Sequence, residues 1–362
     1  MKVIVIGKYH SEGFASLISD ELEQLGHVAV RFDPGPTRRT GSKWVMYANR
    51  AIEVGNEAIR SIRRSLGLAG IGSRVAEVIA DVGPVDLILS IHDYLTHFDV
   101  SRIRRVTSAP LALWFPDPIW SFGRHMFLNA EYDFLFFKDP YVVDVLRRKL
   151  GARVYYLPEA FSPSALDVER INRVERKWEC DITVAGNMYS YRVAMLQNLP
   201  AHYTLKVWGP PPPRWLDLGS LQPSIQGQYV AAEDKVRAFR SAKIVLNTHN
   251  PAEIAGTNVR TFEAAGVGAF QLADFKVGIG DLFVPGREIV MFDRAEELHE
   301  LLEHYINDEH ARKTISRAAM SRARRDHTYA KRLALLLDTV GGTASGFPEP
   351  KPVWRCLFGR AG

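Results

Sequence analysis

Three polar residues suited to binding a phosphate and a ribose lie within six positions, at Asn258, Arg260 and Glu263. The apolar run 244–246 predicts a buried strand, and 259–265 predicts a short helix that begins beside Asn258. A helix N-terminus attracts phosphate through its free N–H groups and its dipole, and Arg260 would add a two-pronged donor. Glu263, one turn further on, would accept hydrogen bonds from ribose. The alternative interpretation is an Arg260–Glu263 ion pair on a surface helix.

A second candidate cluster follows the predicted strand 182–185. It consists of Gly186, Asn187, Tyr189 and Arg192. Glycine lets the backbone approach a diphosphate closely, and Arg192 would reach the same diphosphate from the first turn of the next helix. Because ligands of open α/β sheets bind outside the carboxyl ends of the strands, this cluster and the one at 258–263 predict a single nucleotide site.

Three further candidate residues lie in the same half of the chain. Gly209 follows the predicted strand 203–208, and Tyr229 lies in the loop 226–230, where both are candidate nucleobase contacts. The alternative is a turn glycine beside a core aromatic residue. His249 follows the strand 244–246, where it would contact phosphate or sugar, or only stabilise its own loop.

Apolar runs that do not alternate with polar residues recur along the whole chain and alternate with helical segments. This pattern is typical of parallel sheets covered by helices on both faces, and it predicts an α/β fold. The predicted strands are 3–6, 27–32, 86–91, 109–114, 134–137 and 154–157, then 182–185, 203–208, 244–246, 269–272 and 289–292. The predicted helices are 14–25, 44–66, 74–80 and 259–265, with helical structure from 294 to about 340. The polar segment 162–179 is the predicted linker.

Several ordered sequence blocks resemble one family. They are Asn258-x-Arg-x-Phe-Glu-Ala264, Gly266-x-Gly-Ala-Phe-Gln-Leu-x-Asp274, Asp181-Ile-Thr-Val-Ala-Gly-Asn-x-Tyr189 with Arg192, and the segments 205–209, 281–290, 295–298 and 326–329. Over roughly residues 130–335 the chain resembles the glycosyltransferase module of the CgeB-like (spore-maturation) family. One position departs from related retaining enzymes. These often carry another Glu eight residues before the Glu that Glu263 matches in this chain. Ala255 stands there, with Glu253 out of register, and the anomeric outcome stays open.

The resemblance implies a GT-B fold, in which two Rossmann-like domains face a cleft and the C-terminal domain binds a nucleotide sugar. The expected domains are 1–162 for the acceptor and 180–326 for the donor. A helix at 327–340 would return to the first domain, and 341–362 would form a tail. The implied activity is that of a hexosyltransferase-like glycosyltransferase that moves a sugar from a nucleoside diphosphate to a hydroxyl group. The alternatives are a nucleotide-sugar epimerase and a non-catalytic sugar-nucleotide-binding relative.

The resemblance also indicates where catalytic groups would lie in the first domain. Many GT-B transferases carry a His-Asp pair after the strand 109–114, whereas this chain has Asp117 between Pro116 and Pro118. Asp117 is the first candidate for a general base or a sugar-contacting carboxylate, because prolines on both sides restrict the backbone around it and hold the carboxylate in place. His92 and His10, at the ends of two other strands, are further candidates. A turn-capping Asp and a packed His are the alternative.

Composition and charge narrow the function classes. The chain has 362 residues, 46% of them hydrophobic and 24% charged, which fits a soluble protein of two domains. Cys180 and Cys356 form no metal spacing, and no signal peptide or membrane-spanning run is evident, so a cytoplasmic protein is expected. No Asp-x-Asp motif or His/Cys cluster indicates a metal. Arg192, Arg260 and the helix N-terminus are expected to stabilise the leaving diphosphate instead, with no tightly bound cofactor.

Positive charge is concentrated in residues 37–74. Eight Lys and Arg residues stand there against Glu53 and Glu57. The segment would meet an anionic acceptor or the surface of an anionic membrane, and a solvated helix face is the alternative. Nucleic acid is not an expected partner, because no recognised binding motif accompanies the charge.

Overall fold

A computed structural model describes residues 1–10, 12–35, 71–121, 125–169 and 176–344. The predicted helix 44–66 and most of the basic segment 37–74 lie outside the described residues, and so does the predicted tail from 345 onward. The chain divides into two compact units. The first comprises Met1–Phe137, Lys149–Tyr155 and Leu337–Ser345, and the second comprises Lys138–Arg148, Tyr156–Leu336 and Gly346–Gly362.

The first unit is built on a six-stranded sheet with the order β2-β1-β3-β4-β5-β6. The pairings of β1 with β2 and β3, of β3 with β4 and of β4 with β5 are parallel. The strands are β1 (Lys2–Ile6), β2 (Val28–Phe32), β3 (Leu87–Ser90), β4 (Leu111–Phe115), β5 (Phe134–Phe137) and β6 (Val154–Tyr156). The helices are α1 (Phe14–Gln24), α2 (Ile71–Val82), α3 (His97–Arg104) and α4 (Pro140–Leu150), of which α4 begins in the second unit.

The central strands of this sheet are buried on both faces. All residues of β3, β4 and β5 are buried, including Trp114, which is fully inaccessible to solvent. Such strands need helices on both sides to exclude water, which explains their apolar, unalternating sequences. The helix α3 begins with a capping box, because the Thr96 side chain accepts from Asp99 N and the Asp99 side chain accepts from Thr96 N.

The second unit contains a five-stranded parallel sheet with the order β11-β10-β9-β7-β8. Its strands are β7 (Cys180–Ala185), β8 (Leu205–Trp208), β9 (Ala242–Asn247), β10 (Gln271–Asp274) and β11 (Val290–Phe292). Its helices are α5 (Ser190–Gln197), α6 (Ala232–Arg240), α7 (Val259–Gly266), α8 (Ala295–Asn307), α9 (Glu309–Asp326) and α10 (Tyr329–Val340), and α10 ends within the residues grouped with the first unit.

The predicted α/β class with two parallel sheets is confirmed. Every predicted strand is present, with bounds that differ by one or two residues, and α3, α4 and α6 are helices that the periodicity did not indicate. The predicted linker 162–179 is irregular where it is described, apart from a short 3₁₀ helix at Arg176–Trp178, yet Leu166 and Trp178 are buried in the core of the second unit. The return of 327–340 to the first domain stays a prediction. Within the described part of the chain, no helix is long and apolar enough to cross a membrane.

Candidate functional site

The chain reverses direction across the second sheet between β7 and β9. From β7 it proceeds to β8 on one side, whereas β9, β10 and β11 follow one another on the other side. The loops that leave the carboxyl ends of β7 and β9 therefore diverge and leave a crevice, which is the usual ligand site of such sheets. Gly186 follows β7 and Thr248 follows β9, so both of these loops belong to the candidate site.

Two guanidinium groups converge on Gly186 in this crevice. A methyl group at Gly186 would lie 2.5 Å from Arg260 Nη2 and 3.0 Å from Arg192 Nη1. Gly186 has φ of 135°, a conformation that residues with a side chain rarely adopt. Glycine is therefore required twice at this position, for the backbone conformation and for the close approach of both arginines.

Arg192 is held in place by uncharged oxygen atoms. Its Nε donates to Thr248 Oγ1 at 2.7 Å, its Nη2 donates to Thr248 O at 2.9 Å, and its Nη1 donates to Asn187 O. The guanidinium also lies 4.8 Å from the ring centre of Tyr189. Burial and then the neighbouring charge of Arg260 lower the pKa of Arg192 to about 10, so it remains charged at neutral pH.

The side chain of Arg260 makes no hydrogen bond or ion pair with any described residue. The crevice beside Gly186 therefore holds two positive charges, and no carboxylate is hydrogen-bonded to either of them within the described ranges. Two like charges held together in a partly buried place repel each other, and an anion placed between them would relieve that repulsion. Arginine pairs of this kind are suited to the paired oxygens of a phosphate group.

Gly209, at the end of β8, packs against the same turn. A methyl group at Gly209 would lie 2.3 Å from Gly186 O, and Gly186 N donates to Trp208 O at 2.8 Å. Trp208 itself is buried, stacks on Trp178 and donates from Nε1 to Thr183 Oγ1. Gly209 thus positions the Gly186 turn, whereas Trp208 belongs to the core.

The N-terminus of α7 is capped by Asn258. The Asn258 side chain accepts from Arg260 N at 3.0 Å and donates to Asn247 Oδ1 at 2.9 Å. Asn247 in turn donates to Thr261 Oγ1 at 2.9 Å. Asn258 therefore connects the end of β9 to the start of α7 and fixes the residue from which the Arg260 side chain projects.

Glu263 does not pair with Arg260. Its Oε1 accepts from Lys235 Nζ of α6 at 2.8 Å, and both side chains are about nine-tenths buried. The surface-pair interpretation of Arg260 and Glu263 finds no support in this geometry. Lys235 was not a candidate in the sequence, because it lies 28 positions away and only the packing of α6 against α7 brings it near.

His249 is fully buried, and both of its ring nitrogens have partners. Nδ1 lies 2.6 Å from Asp274 Oδ1, and Nε2 lies 2.8 Å from Thr257 Oγ1. Burial favours the neutral form of Asp274, but the hydrogen bonds from His249 outweigh it and lower the pKa of this carboxyl. In this arrangement His249 joins β9 to β10 and to the loop before α7.

The loop between β9 and α7 is also held by a buried ionic cluster, to which it contributes Glu253. Lys138 Nζ lies 2.9 Å from Glu253 Oε1 and 3.4 Å from Glu159 Oε2. Asp139 Oδ2 accepts from the backbone N of Ile254 and Ala255. Burial favours the neutral form of Glu253, but Lys138, followed by His249 and Arg260, lowers the pKa of Glu253 below its usual value. The cluster fixes the loop, and the sequence did not predict it.

Two aromatic side chains of the loops that follow β8 are exposed. Tyr229 is 57% exposed and Trp215 is 73% exposed, although large aromatic side chains are usually buried. Tyr229 follows Gln228, whose carbonyl accepts from Gly209 N at 2.9 Å. Tyr229 therefore lies next to the Gly209 turn, where an aromatic ligand would find a stacking partner.

His92 and Asp117 come together in the first unit, at the ends of β3 and β4. His92 Nε2 lies 3.8 Å from Asp117 Oδ2, with the histidine mostly buried and the carboxylate about half exposed. Burial lowers the pKa of His92, and Asp117 offsets this only in part. The imidazole is therefore neutral at neutral pH and available as a proton acceptor. Burial and then Asp33 and Asp117 raise the pKa of Tyr94 to about 12.

The remaining residues of the first unit have different surroundings. His10 follows β1 and is exposed, and its carbonyl accepts from Gly13 N and Ser16 Oγ. Asp93 is buried and accepts from Met126 N at 2.7 Å. Burial raises the pKa of Asp93 to about 6, although hydrogen bonds from the backbone of Met126 and Phe127 oppose the change. Asp93 connects the end of β3 to residues 126–127.

Comparison with protein families gives one match, which covers less than half of the chain. Residues 192–338, which include Arg192, Arg260 and Glu263, match the family described as glycosyl transferase-like. No curated protein sequence matches the chain significantly. The match covers the second unit only in part, and the CgeB-like subfamily stays a prediction.

Solved structures with the same fold are numerous. A glycosyltransferase from Rickettsia africae has 13% identity and a TM-score of 0.61, with 96% of this chain and 99% of that chain covered. Anabaena Alr3699/HepE in complex with UDP-glucose has 13% identity and a TM-score of 0.61, with 94% and 100% covered. Sucrose-phosphate synthase from Thermosynechococcus elongatus has 11% identity and a TM-score of 0.58, with 95% and 100% covered. The chain therefore has the fold of GT-B glycosyltransferases.

The substitution Gly186→Ala tests whether the two arginines depend on this glycine. We expect a loss in the free energy of unfolding of about 1–3 kcal/mol more than that caused by Gly227→Ala, measured by urea denaturation. Gly227 also has positive φ, at 63°, but nothing lies within 4 Å of a methyl group there. Equal losses in the two variants would mean that the arginines move away without cost.

Proposed function

We propose that the protein is a glycosyltransferase that takes a sugar from a nucleoside-diphosphate donor. The observation that carries this proposal is the convergence of Arg192 and Arg260 on Gly186, where no carboxylate of the described residues is hydrogen-bonded to either guanidinium. Such a place is electrostatically incomplete without an anion, and two guanidinium groups match a diphosphate better than a single carboxylate. The glycosyl transferase-like match over 192–338 supports the same assignment.

The rest of the donor would extend from this point toward both sides. Glu263, which accepts from Lys235, would also accept hydrogen bonds from ribose hydroxyls, and Tyr229 would stack on the base. Asn187, Tyr189 and the Asn258 cap would complete the surroundings of the phosphates. Because Anabaena Alr3699/HepE was solved with UDP-glucose, uracil is the first base to test in this chain.

During transfer the bond between the anomeric carbon and the diphosphate oxygen breaks, and the acceptor oxygen forms the new bond to that carbon. Negative charge develops on the leaving diphosphate. Arg192 and Arg260 would stabilise it from fixed positions, which is more effective than recruiting mobile charge during the reaction. We propose that these two side chains supply the charge that a divalent cation supplies in metal-dependent transferases.

The acceptor hydroxyl must lose a proton as it attacks. The Asp117–His92 pair of the first unit would receive it, with Asp117 or the neutral His92 imidazole as the base and the other group orienting it. His10, exposed after β1, would contact the acceptor. On the motif blocks of its second half, we further propose that the chain belongs to the CgeB-like branch of these enzymes.

UDP should raise the melting temperature of the full chain without added metal. A ligand that binds only the native state stabilises it by mass action, so a ligand at about 100 times its Kd adds about 2.7 kcal/mol.

Arg260→Ala should weaken UDP binding about tenfold or more in calorimetric titration, because a charge-assisted hydrogen bond is lost. Glu263→Gln should weaken UDP binding but not pyrophosphate binding.

Arg294→Ala is the matched control, since Arg294 is an exposed arginine at the start of α8. It should leave UDP binding unchanged. Stabilisation that appears only with Mg²⁺ or Mn²⁺ would contradict the proposed role of the two arginines. A Glu263→Gln variant with normal UDP affinity and lower stability would show that Glu263 serves only the ion pair with Lys235.

Asp117→Asn should lower sugar transfer at least ~100-fold while UDP affinity stays the same. The reason is that the amide keeps the shape of the side chain but accepts no proton. Turnover per folded molecule and the melting temperature are measured on the same preparation, with Asp81→Asn as an exposed control in the same unit. Lost stability with normal turnover would make Asp117 a turn-capping residue.

The His92 imidazole should produce a pH dependence of transfer. Its neutral form accepts protons and its pKa is lowered, so the rate should be constant above pH 6.5 and fall as pH decreases below that value. In His92→Gln the rate at neutral pH should be lower and this acidic decline should disappear. A His92→Gln profile that keeps the acidic decline of the wild type would exclude the imidazole as the titrating group.

A further inference from the structure

A cavity lies at the amino ends of the strands in the second unit, at the end of the sheet opposite to the arginine pair. It measures about 590 Å³, which is within the range of small-molecule sites. Its lining includes Ser241–Lys243 at the start of β9, whereas the arginine pair lies beyond the end of that strand. A strand of 6 residues separates the two places by roughly 17 Å, so the cavity is distinct from the proposed donor site.

The rim of this cavity is strongly basic. Five cationic side chains line it, and the single acidic residue among its lining is Glu309; the cations are Arg240, Lys243, Arg312, Lys313 and Arg317. Lys243 pairs with Asp181 at 2.7 Å and Lys313 with Glu309 at 2.5 Å. The side chains of Arg240 and Arg317 form neither a hydrogen bond nor an ion pair with any residue that the structure describes. The rim therefore carries more positive than negative charge, with Lys313 compensated by Glu309 and Lys243 by Asp181.

Three of the five cations, Arg312, Lys313 and Arg317, lie on one stripe of α9. Residues 309, 312, 313, 316, 317 and 320 recur at helical spacing and all line the cavity. Lys313 and Arg317 are like charges at i, i+4, which destabilise an isolated helix by roughly 0.2–0.5 kcal/mol. An anion in the cavity would convert this repulsion into attraction for both residues at once.

The floor of the cavity is apolar. Phe239, Val267 and Phe270 line it and are at most 5% exposed, and Met320 lies beside them. A free inorganic ion would gain nothing from this surface, whereas a ligand with an organic body would bury part of it. The cavity thus combines arginine donors at the rim with an apolar floor.

We propose that this cavity binds an organic phosphate monoester, with the phosphate between Arg240 and Arg317 and the organic group on the apolar floor. A phosphate monoester carries nearly two negative charges at neutral pH and accepts paired hydrogen bonds from guanidinium groups. The ligand is a soluble phosphorylated metabolite or the headgroup of a phosphomonoester lipid, since both present the same chemistry.

The test is calorimetric titration of the full chain with phenyl phosphate and with inorganic phosphate. Phenyl phosphate should bind more tightly than inorganic phosphate, because only the former covers the floor. The double variant Arg240→Ala/Arg317→Ala should weaken phenyl phosphate binding at least about tenfold, since two charge-assisted contacts are removed. Arg325→Ala, on the same helix but outside the lining, should have no effect.

Arg260→Ala separates this site from the proposed donor site, and it should leave phenyl phosphate binding intact. Normal binding in the double variant, loss of binding in Arg260→Ala, or equal affinity for phenyl and inorganic phosphate would each overturn the proposal. Co-sedimentation with phosphatidic acid vesicles, compared with phosphatidylcholine vesicles, identifies the source. Sedimentation that depends on Arg240 and Arg317 assigns a lipid headgroup, and phenyl phosphate binding without sedimentation assigns a soluble metabolite.

Discussion

The arrangement of the candidate site depends on the close approach of Arg192 and Arg260 at Gly186. Two guanidinium groups do not associate without cost, so other contacts must fix both of them. Arg192 is fixed by the hydroxyl and carbonyl of Thr248 after β9, and Arg260 is fixed because Asn258 caps the helix on which it stands. The Arg192 contacts cross the crevice between β7 and β9, whereas the Asn258 cap is local to the start of α7. The order of the strands therefore determines the electrostatics, and a sheet with β7 and β9 apart would not bring the charges together.

The positions of the strands could be predicted from the sequence, whereas the order of the strands in each sheet could not. Apolar runs such as 111–115 and 244–246 reveal themselves because a strand covered on both faces has no polar positions. Strand order depends instead on contacts between distant segments, which periodicity does not encode. Some local signals went unused: Thr96 and Asp99 form a capping box that predicts the start of α3. The helix α6, by contrast, carries Lys235 and Glu233 on a charged sequence that gives little indication of a buried face.

The candidate residues near the phosphate position were accessible to sequence reasoning because they follow strands and begin helices. Arg192, Arg260 and Gly186 do converge, but their convergence was an assumption until β7 and β9 were seen to be adjacent. The partners that hold the site were not predictable, since Lys235 and Lys138 reach it from distant parts of the chain. His249 shows the opposite problem. It stands at a strand end, like a ligand-binding residue, yet burial and two ring partners give it a structural role.

The buried pairs around the site explain why its charge remains concentrated on the arginines. Glu263 is neutralised by Lys235, Glu253 by Lys138, and Asp274 is engaged by His249. Removing one partner of such a pair leaves an uncompensated buried charge, so the acids cannot turn toward Arg192 or Arg260 without a large penalty. These pairs hold the acids in place and leave the arginines unneutralised. If the proposed anion binds, Lys138 and Lys235 would affect its affinity through the acids they hold, without touching the ligand.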